Sequence, residues 1–250
     1  LTLTLTLTLI GGIVTKTIPE AEALDEISKV IRNPEIASIS PILLKALIDP
    51  ATGTLNGLET LIETEFLHAI DAPSLALIVP VLHRGLRDRS ATTKRYGALI
   101  AGNICTMIND PRDFVPYLSI LLPDLKSVLL DPIPDVRSTS AKALGSLTRG
   151  LGEDTFPELR PWLIATLQAE EGSSVERSGA AQGLTEVLIA GGGSLVEEVM
   201  LEEILPLKSH PKASTREGVL WVLTFLPSSL GQGFAPLIDP SLPALLSGLA

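Results

Sequence analysis

One phrase returns six times along these 250 residues, and it limits what the chain can fold into more than any single motif does. A proline stands just inside an apolar run, an acid closes the run, and a basic residue then leads a stretch of small residues. The phrase is SISPILLKALIDP at Ser38–Pro50, ALIVPVLHRGLRD at Ala76–Asp88, SILLPDLKSVLLD at Ser119–Asp131 and ELRPWLIATLQAEE at Glu158–Glu171. It is weaker around Leu205–His210 and returns as PSLPALLSGLA at Pro240–Ala250. The marker prolines Pro41, Pro80, Pro123, Pro161, Pro206 and Pro243 are 39, 43, 38, 45 and 37 residues apart. The small-residue runs keep the same register, because Lys94, Arg137, Arg177 and Arg216 follow one another at 43, 40 and 39 residues. A unit of this length is too small to bury its own apolar face, so it folds only by stacking on its neighbours.

Each unit has the makings of two antiparallel helices. The first carries Leu, Ile and Val at helical spacing, with proline near its start or at a bend. The second is rich in small residues, as in Ala141, Ala143 and Gly145 or Gly179, Ala180, Ala181 and Gly183, so its axis can approach its neighbours closely. A helical Gly costs about 1 kcal/mol relative to Ala, which close packing must offset. DPIPD at Asp131–Asp135 and EEGSS at Glu170–Ser174 supply turn chemistry between the two helices, and Gly150–Gly152 and Gly191–Gly193 supply it between units. With 45% apolar residues but only 4% aromatic, the core is expected to be aliphatic. The expected fold class is all-α, an α-solenoid of about five to six antiparallel helix pairs occupying residues 21–250 as one continuous fragment of a longer chain. Residues 1–20 stand apart. LTLTLTLTL alternates like a strand, but nothing else reads as a strand to pair with it, so an irregular lead-in is expected there.

Acid-to-base spacing inside the turns is regular as well. Asp88 to Lys94, Asp131 to Arg137 and Glu171 to Arg177 are each six residues apart. The expected role of Asp88, Asp131, Arg137, Glu171, Arg177 and Arg216 is a stacking ladder of ion pairs and hydrogen bonds to loop carbonyls.

The net charge of −10 hides an uneven distribution. Residues 1–82 carry −6, residues 83–149 carry +4 and residues 150–250 carry −8. The basic middle is densest in HRGLRDRSATTKR, His83–Arg95, where Arg84, Arg87, Arg89, Lys94 and Arg95 face a single acid, Asp88. Two readings stand side by side. Such bases cover helix ends and pair with acids of adjoining repeats, or they form a site for phosphates or an acidic protein surface.

Catalytic and cofactor chemistry finds no pattern to rest on. The three histidines, His68, His83 and His210, have no metal-ligand spacing, and no G-x-S-x-G appears. The single Cys105 lies in the apolar run GALIAGNICTMI, excludes a disulfide within the chain and fits a reducing compartment such as the cytosol. No stretch approaches the roughly 18 apolar residues of a membrane span. No enzyme activity, cofactor or membrane association is therefore expected.

From Phe66 to Leu188 the sequence resembles a known family. DAPSLALIVPVLHRGLRDRSATTKR, AGNICTMINDPRDFVPYLSILLPDLKSVLLDPIPDVR, AKALGSL and SSVERSGAAQGLTEVL look like the HEAT-repeat middle of the general-control translational activator family. Within this, Ala72–Leu125 is also similar to the HEAT region of fungal translation elongation factor three. VERSGAAQGL and FLPSSLGQGF favour the activator, whereas the opening residues do not match its preceding repeat. The resemblance implies a cytoplasmic, non-catalytic scaffold that sits on translating or stalled ribosomes and promotes activation of the starvation-responsive initiation factor kinase. It implies contact with rRNA phosphates or ribosomal proteins here, with the kinase and an ABC-type partner bound through other regions of the full-length chain. The alternative is a generic HEAT-repeat adaptor, of transport-receptor or phosphatase-scaffold type, gripping a protein partner.

Overall fold

A computed structural model describes residues 2–9, 12–19, 26 and 29–248. By chain contacts it divides into two compact units, one made of residues up to 100 together with 106–122, the other of 101–105 together with 123 onward.

The opening segment is not the irregular lead-in expected from sequence. Strand β1, Thr2–Leu9, pairs antiparallel with β2, Gly12–Pro19, in a register that sets Leu5 opposite Lys16 and Leu9 opposite Gly12. The partner strand is GIVTKTIP, whose β-branched Ile13, Val14, Thr15, Thr17 and Ile18 favour extended backbone without alternating as clearly as β1 does.

The rest of the first unit is helical. Helix α1, Pro34–Ile48, is followed by α2, Pro50–Glu63, then by α3, Ala72–Leu86, and by the first part of α4, Ala91–Met107. Local chemistry sets the boundaries. Asn33 caps α1 by accepting from the Ile36 N–H at 2.7 Å, and its amide also donates to the His68 and Ala69 carbonyls at 3.0 and 3.1 Å. Asp71 caps α3 by accepting from the Ser74 N–H, and Ser90 caps α4 through the Thr93 N–H. Pro41 lies inside α1, where it leaves the Ala37 carbonyl without its helical donor. The Ser40 hydroxyl donates to that carbonyl at 2.9 Å. Ile36, Leu43, Leu44, Leu58, Leu75, Ile78 and Leu82 form an aliphatic core.

Helix α5, Val115–Leu129, begins in the first unit and continues into the second, with Pro123 inside it. The second unit goes on with α6, Pro134–Leu151, α7, Leu159–Gln168, and α8, Ser174–Gly191. Helix α9, Gly193–Val199, runs into a π-helical turn at Met200–Ile204 and a 3-10 turn at Leu205–Ser209. Then come α10, Ala213–Leu230, and α11, Ile238–Gly248. The pairs are thus α1/α2, α3/α4, α5/α6, α7/α8 and the broken α9 segment with α10, followed by α11 as the opening helix of a sixth. Five of the six marker prolines, Pro41, Pro80, Pro123, Pro161 and Pro243, fall in the first helix of their unit. The fifth, Pro206, sits in the 3-10 turn, which is why that copy of the phrase is weak.

Two sorts of glycine shape the second unit. Gly152 and Gly192, at φ of 85° and 100°, end α6 and α8 in a conformation that a side chain would disfavour. Gly179 and Gly218 serve close approach instead. A Cβ on Gly179 would overlap the Leu129 carbonyl oxygen, and one on Gly218 would lie 2.7 Å from that of Leu167. Leu129 and Leu167 each stand six residues beyond their marker proline, and Gly179 and Gly218 two residues beyond their marker arginine. The same contact therefore joins α8 to α5 and α10 to α7.

Candidate partner-binding surface

Three arginines near the starts of second helices, Arg137, Arg177 and Arg216, are engaged in holding turns. Arg137 Nη1 donates to the Asp131 and Pro132 carbonyls at 3.0 and 2.9 Å, and Arg216 Nη1 to those of His210 and Pro211 at 2.8 and 3.0 Å. Arg177 Nη1 likewise reaches the Ala169 and Gly172 carbonyls. The guanidinium at the start of each of these helices thus closes the turn that precedes it, a charge-assisted bond to otherwise orphaned acceptors. The acid six residues earlier works on the backbone too. Asp88 accepts from the Ser90 N–H at 2.7 Å and Asp131 from the Ile133 N–H at 2.9 Å. In the fifth unit His210 Nδ1 takes that place, accepting from the Lys212 N–H at 3.2 Å. Glu171 is exposed; its neighbour Glu170 pairs with Lys212 of the next unit.

Arg177 does more than close a turn. Its Nε and Nη2 hold Glu217 Oε2 at 2.9 and 2.8 Å, linking α8 to α10. The other oxygen of Glu217 accepts from the Ser174 hydroxyl and, at 3.0 Å, from the Trp221 indole N–H. Burial alone would raise the Glu217 carboxyl, but the bonds from Ser174, Trp221 and Arg177 and the charge of Arg177 outweigh it and leave it below its ordinary value. Trp221 in turn stacks on Phe225, with centroids 5.9 Å apart. Nothing in the sequence marked Glu217, because its partner lies 40 residues away. Arg137, at the equivalent place, is buried and its Nε has no partner, so desolvation lowers its pKa against the opposing charge of Asp131.

The five bases of His83–Arg95 separate into two groups. Arg84 Nη1 donates to the Ala46 and Leu47 carbonyls at 3.1 and 3.0 Å, capping the last turn of α1. Lys94 is half-buried at the start of α4. Arg87, Arg89 and Arg95 are exposed, and no side-chain hydrogen bond or ion pair to the described residues restrains them. The one acid of the segment, Asp88, has an oxygen turned to the Ser90 N–H. Helix α4 also has no acid in its first turn, so its N-terminal N–H groups add to the local positive potential.

Elsewhere, Lys126 lies over the Trp162 ring, 4.7 Å from its centroid. Cys105 is buried against Gly150, and burial pushes its thiol up to about 11. His68 Nδ1 meets Glu35 Oε1 at 2.8 Å, and that bond holds the Glu35 carboxyl below its usual range. Among the described residues no cluster of His, Cys, Asp and Glu could hold a metal ion, and no helix is long and apolar enough to cross a membrane.

A period near forty, proline-marked first helices, small-residue second helices and a basic latch on three of the turns define an all-α solenoid protein of the HEAT-repeat class. The profile described as elongation factor 3/GNC1 HEAT repeat matches residues 53–158. Protein ILITYHIA of Arabidopsis thaliana is 51% identical over 228 residues, and the stalled ribosome sensor GCN1 of Homo sapiens is 46% identical over 230. The eIF-2-alpha kinase activator GCN1 of Saccharomyces cerevisiae is 44% identical over 229 residues. These alignments cover 91–92% of this chain and 8% of each relative, so the chain spans a small part of their length. The chain is a HEAT-repeat region of the GCN1 family.

Proposed function

We propose that this run of helix pairs is a non-catalytic, ribosome-contacting part of a cytoplasmic translational regulator that promotes activation of the initiation factor kinase. The names of the relatives, a stalled ribosome sensor and an eIF-2-alpha kinase activator, support the reading. The kinase and an ABC-type partner would then be bound through other regions of the whole protein. The observation that carries the local proposal is the trio Arg87, Arg89 and Arg95, which is exposed, unpaired among the described residues and inside the stretch matched by the family profile. Free guanidinium groups beside an acid-free helix N-terminus favour phosphate, and phosphate contacts position a protein without reading sequence.

The test is co-sedimentation of the chain with purified ribosomes, compared with the R87E/R89E/R95E variant. Arg84 is left intact because it caps α1. The expected result is loss of pelleting in a variant whose far-ultraviolet circular dichroism matches that of the parent. Equal pelleting of the two proteins would reject the assignment of these residues.

A further inference from the structure

Strands β1 and β2 form a sheet by themselves, so among the described residues each is paired along one side and open along the other. In an antiparallel strand every second residue turns its N–H and C=O to the same side, which gives β1 a row of donors and acceptors along its open edge. Proteins guard such edges with a charge, a proline, a bulge or a covering element. Strand β2 carries Lys16 and ends on Pro19. Strand β1 is Leu and Thr throughout, with neither charge nor proline in its eight residues, so its edge is the unguarded one.

The pattern of β1 says what pairs there. Opposite residues of an antiparallel pair turn their backbone groups the same way, so two copies of β1 meet only in registers that set odd positions opposite odd and even opposite even. Leu holds every odd position and Thr every even one, so each such register sets Leu opposite Leu and Thr opposite Thr. Centred on Leu5, the pairing sets Leu3 opposite Leu7 and Thr4 opposite Thr6. Within the hairpin Leu3 already stands opposite Ile18, Leu7 opposite Val14, Thr4 opposite Thr17 and Thr6 opposite Thr15. Two rows therefore continue across four strands: Ile18 and Leu3 run on into Leu7 and Val14 of the second copy, and Thr17 and Thr4 into its Thr6 and Thr15. Two strands alone are marginal in water, and further strands with matched rows supply what they lack.

We propose that β1 is a self-association edge whose partner is β1 of a second copy of this chain, joined antiparallel about a two-fold axis into a four-stranded sheet. Self-complementarity of the alternation identifies the occupant, and no charge on β1 selects a charged partner. Lys16 and Pro19 guard the outer strands, so the assembly closes at two copies.

Sedimentation equilibrium of the full chain over a concentration series is expected to show a reversible step from the 26.5 kDa of one chain to twice that mass. In T4K/T6K the new residues stand opposite neutral Thr17 and Thr15 within the hairpin, but Lys meets Lys across the new pair. The dissociation constant should rise about tenfold or more, and T4E/T6E should behave alike. Mixed in equal amounts, the two variants should regain the dimer that each has lost, an outcome that damaged strands would not allow. A parent chain that stays monomeric at its highest soluble concentration would overturn the proposal. So would variants as dimeric as the parent, or a mixture no more dimeric than its two components.

Discussion

Replacing Arg177 by Met removes, in one change, two bonds to the α7–α8 turn and the link to Glu217. Met keeps most of the aliphatic stem, so the cost is mainly polar. Breaking a buried pair by deleting one partner costs about 3–5 kcal/mol, but the Glu217 side chain is 34% exposed and water recovers part of this. The expected loss is therefore ~2–4 kcal/mol, against ~1–2 kcal/mol for E217Q, which leaves the turn closed. Because the two residues touch, R177M/E217Q should cost less than the sum of the singles, with a coupling of ~1–2 kcal/mol. Urea unfolding followed by Trp fluorescence reads this directly, since Trp221 donates to Glu217 at 3.0 Å. The sign of the pH effect follows from the same carboxylate. Its folded pKa lies below the ordinary 4.5, so its contribution is complete above that value and is lost as pH falls through the folded pKa. E217Q should accordingly flatten the acid limb of the stability profile. Additive single losses, or an R177M variant within ~0.5 kcal/mol of the parent, would refute the latch.

Other outcomes follow from the same packing. G179A should destabilise the second unit by ~2 kcal/mol or more, because its Cβ meets a main-chain oxygen that cannot move away, whereas G193A, with open space around it, should stay within ~0.5 kcal/mol. Thermal melts of the two variants make the comparison. Cys105 should react with an iodoacetamide reagent at pH 8 about 100-fold more slowly in the folded chain than in urea, as a thiol raised from 9.0 to about 11 requires; equal rates would place it at the surface.

Helix pairing was legible in the sequence because prolines and small residues are periodic, and period survives the loss of detail at any one unit. Turn closure by Arg137, Arg177 and Arg216 was legible for the same reason. Partners at long range were not. Arg84 caps α1 by bonding carbonyls 37 and 38 residues away, and a backbone acceptor has no side chain to announce it. Asp88 and Asp131, expected in a ladder of ion pairs and hydrogen bonds to loop carbonyls, each also turn an oxygen to a backbone N–H two residues on, and in the fifth unit His210 Nδ1 makes the same backbone contact. The hairpin escaped for a different reason. Alternation in LTLTLTLTL was plain, but β2 is a mixed β-branched run whose pairing depends on register, not on its own pattern.

Ribosome pelleting as a function of salt tests the central claim most directly. If Arg87, Arg89 and Arg95 each displace a counterion from rRNA, log affinity should fall with log salt at a slope of about −2 to −3, and the slope should approach zero in R87E/R89E/R95E. A parent slope near zero, or a variant slope unchanged from the parent, would contradict the account.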